Sequence, residues 1–537
     1  MKKLTVSASS FEDLRTKGDY IYVDKTKYVY NLVKDELKNY YFISRPRRYG
    51  KSLMCSTLHA LFEGKRELFK GLYIDSTDYS FEKFPVLHFN FADINTKTYD
   101  TFLRILQNRI IEEANNNDIS LERDEPSEML YSLLGKLKKT AVIIVDEYDY
   151  TIIHTYKNLE LADKIRDTLS SFYTVIKNTG EKVRFFFITG ITKFSNMSIF
   201  SQMNNLTDLT FNKDFATAFG YTEEELESNF SEYIDAYMNK PNREYENRED
   251  FIEAIRNYYD GYRFSYENEA KVYNPVSVGF FFNEDYSFKN YWNDTGESTL
   301  VVDLAKTYHL GNIIAEDLTL GVDIISTFDY GNLASNSLNA SQVLALIYFT
   351  GYLTIKEGNN DTLILTFPNK EVRTAFTKSL LKLYAGGADI SVYIAKAKIA
   401  LATNNITELV NDLNAYYEKL PYTILSKEIG YQSMFYAFFV LLGIEVSAED
   451  ATAQGRIDVT IETKTDVFII EIKVNQSALK ALKQIHEKKY YSKYINSNKC
   501  IHIVGLNFAS RSHKITSWKE EIIDKTKEPT YLGPTCS

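Results

Sequence analysis

Residues 40–62 read YYFISRPRRYGKSLMCSTLHALF, and the succession of residue types in this stretch decides the fold. The aromatic and β-branched run Tyr40 to Ser44 predicts a buried strand. The basic segment after it predicts a loop, and a helix is expected to open at Gly50-Lys51-Ser52. Strand, loop and helix in that order turn loop N–H groups and a helix N-terminus toward a phosphate. Lys51 then brings a point charge to the β- and γ-phosphates, and the Ser52 hydroxyl offers a ligand to Mg2+. In G-x-x-x-x-G-K-[ST] the first glycine falls at position 45, where this chain has Arg45. Arg45, Arg47 and Arg48 crowd the loop and are candidates to stabilise phosphate charge; solvated arginines flanking a loop are the plainer reading.

Outward from this stretch, three further apolar runs alternate with polar helical segments: VLHFNF from 86, AVIIVDEYD from 141 and VRFFFITG from 183. Nearly continuous apolar runs of this kind predict a parallel α/β sheet covered on both faces. Asp146 and Glu147 end one buried run, the Walker B position. There Asp146 is expected to hold Mg2+ through water and Glu147 to act as general base toward the attacking water. Two acids at a strand end are common, but their combination with GKS is not. Thr189 and Thr192, on the next run, are candidates to sense the γ-phosphate or simply to cap a turn. Arg263, in YDGYRF, is the candidate arginine finger.

A chain of 537 residues exceeds one ordinary core and predicts three compact units. Residues 1–220 are read as the P-loop ATPase domain, 221–386 as a helical lid with winged-helix-like features, 387–421 as a helical connector and 422–537 as a second α/β domain. The winged-helix reading rests on LNASQVLALIYF from 338 preceding the hairpin GYLTIK and TLILTFP; a packing lid is preferred to a DNA-reading wing. Hydrophobic residues at 44% and charged residues at 25% are ordinary for a globular protein. The net charge of -10 excludes attraction of the whole molecule to nucleic acid and leaves that role to local basic patches. Cys55, Cys500 and Cys536 are too dispersed to reveal a disulfide framework or a zinc site. No signal peptide and no run of about 18 apolar residues is present, so a cytoplasmic protein with no membrane association is expected.

The second constellation is GRIDVTIETKTDVFIIEIKVNQSALKALKQI, from 455. Asp458 and Glu471 lie thirteen positions apart on strands joined by TKTD. Alternation along a strand turns Glu471 and Lys473 together while Phe468, Ile470 and Ile472 pack inward. Two carboxylates and a lysine can hold Mg2+, or Mn2+, and a water for attack on a phosphodiester. Glu428, on an upstream helix, could add a third acid, and Gln484 could position metal or substrate. The bland reading of E-x-K is a cross-strand ion pair. Lys480, Lys483, Lys488, Lys489 and Lys493, with Tyr490 and Tyr491, predict a basic and aromatic surface for a nucleic-acid backbone.

With these motifs in view, the chain resembles the bacterial AAA-ATPase-like proteins that carry a C-terminal PD-(D/E)XK nuclease-superfamily domain. The likeness rests on YVDKT at 22–26, SRPRRYGKSL at 44–53, VDEYD at 145–149, TGITKFS at 189–195, YDGYRF at 259–264, and the GRID and EIK motifs. The family also has arginine where the usual first glycine stands. The resemblance implies ATP as cofactor at Lys51, Ser52, Asp146 and Glu147, and a restriction-endonuclease-like centre at Asp458, Glu471 and Lys473. The expected function is an ATPase coupled to a nuclease acting on DNA, with a homo-oligomer left open. The alternative is an ATP-driven switch whose nuclease-like domain binds nucleic acid or a protein without cutting.

Overall fold

The computed structural model describes the chain except residues 5, 7–9, 36–38, 93, 95, 156–157, 194–204, 295–300, 303, 306–307, 309–316, 327–337, 385–388, 421–427, 443–458, 464 and 525–537. Two compact units form, one from Met1–Gly296 with Leu318–Val372, the other from Glu297–Asp317 with Arg373–Ser537. No helix among the described residues is long and apolar enough to cross a membrane.

The first unit is built on a five-stranded sheet of β1 (Tyr40–Ser44), β2 (Val86–Asn90), β3 (Ala141–Asp146), β4 (Val183–Gly190) and β5 (Thr207–Asp208). The order is β2-β3-β4-β1-β5, and every pairing is parallel. β1 to β4 are the four apolar runs of the sequence. β1 and β3 are buried at every position, as strands covered on both faces must be. β5 is two residues long and exposed, too short to leave a periodic signal. Because β4 inserts between β1 and β3, the loop after β1 and the acids after β3 emerge at the same edge. Ligands of open α/β sheets bind at such carboxyl ends.

The helices Glu223–Asn229, Ser231–Met238, Arg248–Tyr259 and Pro275–Asn283 belong to the same unit and close over an aromatic core that includes Phe230, Tyr237, Phe251, Tyr259 and Phe281. Tyr237 and Phe251 stack with ring centroids 3.8 Å apart. Thr222 and Glu225 form a capping box, and the Asn274 side chain caps the fourth helix. Farther on, the helix Ala340–Phe349 precedes β7 (Thr354–Gly358) and β8 (Thr362–Thr366). With β6 (Leu318–Gly321) they make an antiparallel sheet ordered β6-β8-β7, which contains the hairpin expected from the sequence.

In the second unit the helices Ser391–Ala402, Ile406–Tyr417 and Glu428–Leu441 precede a mixed sheet. Its strands are β9 (Val459–Glu462), β10 (Asp466–Val474), β11 (Cys500–Ala509) and β12 (Lys514–Ile522), in the order β12-β11-β10-β9. β10 and β11 are parallel and joined through the helix Ala478–Lys488, while the outer pairs are antiparallel. β12 escaped the sequence reading because this edge strand is mostly exposed and polar. A strand expected ahead of β9 falls outside the described residues. Tyr490 and Tyr491 correct the expected aromatic surface: both are buried in a cluster with Val467, Ile469, Leu482 and Ile503, so neither ring is open to a stacking base. Lys480, Lys483, Lys489 and Lys493 are exposed, as expected.

Candidate active sites

The phosphate loop rests on an aromatic bed. Gly50 holds φ 93°, a left-handed conformation that a side chain would strain, and the helix Lys51–Phe62 starts immediately after it. Tyr49 is buried between Tyr262 and Phe264, with ring centroids 5.0 and 5.1 Å away. Arg45 does not face the mouth of the loop, contrary to the expectation for phosphate contact. Its guanidinium is 1% exposed, donates to the carbonyls of Ser44, Thr210 and Phe215, and lies 4.4 Å from the Phe264 ring centre. The residue that replaces glycine is therefore a bolt beneath the loop.

At the mouth, Lys51 Nζ stands 3.3 Å from Glu147 Oε1 and donates to Pro46 O at 3.1 Å. Asp146 is fully buried beside them, and by strict geometry neither of its carboxylate oxygens has a hydrogen-bond partner among the described residues, Ser52 being its near neighbour. Burial, then the neighbouring Glu147 charge, push the Asp146 carboxyl up to about 6; the nearby Ser52 hydroxyl and Lys51 offset this only in part. Such an orphaned carboxylate beside Ser52 suits a divalent cation, and the positive charge of Lys51 suits phosphate. A cavity of about 260 Å³ is lined by Gly50, Lys51, Ser52 and Glu147 and by the apolar side chains of Ile21, Val23, Val29, Met54 and Val276. A lining that combines these polar groups with apolar walls suits a nucleoside triphosphate.

The neighbouring threonines make contacts within the domain. Thr189 is buried and its hydroxyl donates to Ile43 O at 2.8 Å, fastening β4 to β1. Thr192 donates through both its N–H and its hydroxyl to Asp149 Oδ2, each at 2.7 Å. Asp149 also accepts from the Ile191 N–H, so the last acid of VDEYD anchors the exit of β4. Arg263 is no free finger: its guanidinium donates to the carbonyls of Ser265, Tyr266, Asn268 and Lys356. Arg48 remains at the wall of the cavity, with Nη1 donating to Trp292 O at 2.7 Å. Arg47 is half-buried.

In the second unit, Lys473 Nζ donates to Glu471 Oε1 at 2.8 Å, and Glu471 is 1% exposed. The two point together, as alternation demands. Glu471 pairs with Gly505 of β11, over which the start of the helix Ala478–Lys488 passes. A Cβ at Gly505 would lie 2.3 Å from Ala478 O, so only glycine lets the helix lie so close beside the pair. Gln484 is half-buried on that helix. Asp458 and the side chain of Glu428 lie outside the described residues.

Known proteins match both parts of the chain in sequence. Residues 5–200 match the family model described as a predicted AAA-ATPase, and residues 426–518 match the PD-(D/E)XK nuclease superfamily. A protein of Azotobacter chroococcum mcd 1, described as an uncharacterized protein in the vnfD 5' region, is 32% identical over 543 residues, spanning 97% of this chain and 99% of that one. The chain belongs to the AAA-ATPase-like family with a C-terminal PD-(D/E)XK nuclease-superfamily domain. Among solved structures, the Aeropyrum pernix ORC1 protein in complex with DNA covers 69% of this chain and 98% of its own at 11% identity. Its TM-score of 0.25 is too low to bear on function.

In this AAA-ATPase-like protein two motifs acquire roles that their residue types did not announce. YVDKT builds a wall: Lys25 Nζ, from inside the cavity lining, binds both carboxylate oxygens of Glu225 and Thr217 O. YDGYRF supplies the bed of the loop through Tyr262 and Phe264. A third contributor, Glu371, was missed because it lies far along the chain. Its carboxylate accepts the Trp292 N–H at 2.8 Å while Arg48 holds the carbonyl of the same residue.

Proposed function

We propose that this protein binds and hydrolyses ATP at Lys51, Ser52, Asp146 and Glu147, and that its second domain hydrolyses phosphodiester bonds in DNA with Mg2+ or Mn2+. The observation that carries the first half is Asp146, buried beside the Lys51–Glu147 pair with neither oxygen hydrogen-bonded among the described residues. Lys51 would hold the phosphates, Ser52 and Asp146 the Mg2+, and Arg48 a further share of phosphate charge. Glu147 would take the proton of the attacking water, which requires that Lys51 exchange it for phosphate. Mg2+, when bound, neutralises charge on the β- and γ-phosphates.

The second half rests on Glu471 and Lys473 sharing one face of β10 inside a nuclease-superfamily domain. Asp458 and Glu428 would complete the acids around the cation, Gln484 would orient metal or substrate, and Lys473 would offset charge at the reacting water. The exposed lysines on and after the helix Ala478–Lys488 supply the local positive charge that a net charge of -10 withholds elsewhere. We take 1–220, 221–386, 387–421 and 422–537 as the functional divisions of a cytoplasmic protein.

The test is turnover of Mg-ATP by the purified chain. Lys51→Ala is expected to abolish hydrolysis while the second unit keeps its thermal transition. Equal turnover by Lys51→Ala and wild type would overturn the assignment.

A further inference from the structure

On β10 and β11 the parallel register sets Asp466 beside Cys500 and Phe468 beside His502. Side chains two apart share a face, so Asp466, Cys500 and His502 gather on one face of the sheet while Glu471 and Lys473 occupy the other. The stacked rings of Phe468 and His502, 4.6 Å between centroids, confirm the shared face. One ligand atom from each of Asp466, Cys500 and His502 lies within 4.8 Å of the others. The sequence concealed this group because Asp466 and Cys500 meet only through strand pairing.

We propose that Asp466, Cys500 and His502 form a binding site for a thiolate-preferring divalent cation such as Zn2+, independent of the nuclease centre. Carboxylate, thiolate and imidazole are all ligands of that ion, at about 2.0–2.3 Å from it. Drawing the three atoms onto one ion needs a modest contraction. Cys500 is exposed and can supply it by rotating about its own side-chain bond, whereas Asp466 and His502 are buried and already aimed.

A second observation supports the assignment. His502 Nε2 lies 3.1 Å from Asp466 Oδ1, and Nδ1 lies 2.8 Å from Glu520 Oε1 on β12. A carboxylate behind the far nitrogen of a ligating histidine fixes the ring and raises its basicity. Asn404 Nδ2 donates to Asp466 Oδ1 at 3.2 Å and holds that carboxylate in place. To take the cation, His502 would present an unprotonated Nε2 and direct Nδ1–H to Glu520 Oε1, the Cys500 thiol would release its proton to solvent, and water would complete the fourth position on the exposed Cys500 side.

The test uses the full-length chain under a non-thiol reductant, titrated with Co2+ and then with Zn2+ as competitor. The expected result is one thiolate-to-cobalt charge-transfer band per chain, displaced by Zn2+. It disappears in Cys500→Ser and survives in Glu471→Gln, which separates it from any cation at the nuclease centre. Glu520→Gln should weaken binding by about 10–100-fold. Cys500→Ser changes one exposed atom, so an unchanged circular dichroism spectrum excludes misfolding as the cause. No thiolate band with Co2+, or a band that persists in Cys500→Ser, would overturn the proposal.

Discussion

Lys51 Nζ and Glu147 Oε1 stand 3.3 Å apart, their side chains 3% and 14% exposed. The cation of the phosphate loop and the acid beyond β3 thus neutralise each other in a nearly dry place. Glu147 reaches this position from a left-handed backbone, φ 54°, which turns its side chain out of the line of β3. On the proposed function, a phosphate arriving at Lys51 would compete with Glu147 and so free that carboxylate to act as a base.

Glu147→Gln is expected to keep the shape and remove both the competing charge and the base. Turnover of ATP should fall by about 100-fold or more, the usual worth of a general base, while ATP affinity holds or rises. Single-turnover hydrolysis with a nucleotide-binding titration reads both; undiminished turnover would remove Glu147 from the chemistry.

Arg45 and Arg48 should separate cleanly. Arg45→Ala removes three hydrogen bonds from a buried cation to main-chain carbonyls. The expected cost is about 3 kcal/mol or more, read from the urea midpoint of the first unit. Arg48→Ala loses one such bond and is expected to cost about 1–3 kcal/mol, with its larger effect a raised KM for ATP. A stable Arg45→Ala with impaired ATP binding would restore Arg45 to the phosphate site.

What the sequence could disclose followed from local pattern. β1 to β4 were legible because fully buried parallel strands leave unbroken apolar runs, and Gly50-Lys51-Ser52 because its chemistry is contiguous. Edge strands β5 and β12 were not, since one is two residues long and the other mostly polar. Residue type alone could not separate arginines: Arg45 and Arg263 are spent on carbonyls, while Arg48 lines the cavity. Asp149 and Glu371 act through partners remote in sequence, as does the Asp466–Cys500–His502 group. The pairing of Glu471 with Lys473 was legible, because alternation along one strand requires no tertiary information.

Glu371 should give the first unit a pH dependence. Burial pushes its carboxyl from 4.5 up to about 8, offset in part by the Trp292 N–H. Between these values the folded chain holds a proton that the unfolded chain has released, so stability falls as pH rises through this window. Below about 4.5 the contribution is complete; above about 8 it is lost. Glu371→Gln keeps an acceptor for Trp292 and should flatten this part of the profile, measured as Tm against pH. An unchanged slope in the variant would assign it to other groups.

Gly505→Ala tests the seating of the helix Ala478–Lys488 beside Glu471. The added Cβ meets the Ala478 carbonyl at 2.3 Å, so the helix must shift. Overpacking of this kind costs about 1–3 kcal/mol, expected here in the transition of the second unit, with ATP turnover preserved. Loss of ATP turnover together with that transition would show that the two units do not fold independently.

The most direct measurement is cleavage of plasmid and linear DNA by the purified chain in Mg2+ or Mn2+, with and without ATP, beside Lys473→Ala. The account predicts cutting by the wild type that disappears in Lys473→Ala. No cutting under any of these conditions, or equal cutting by the variant, would contradict it.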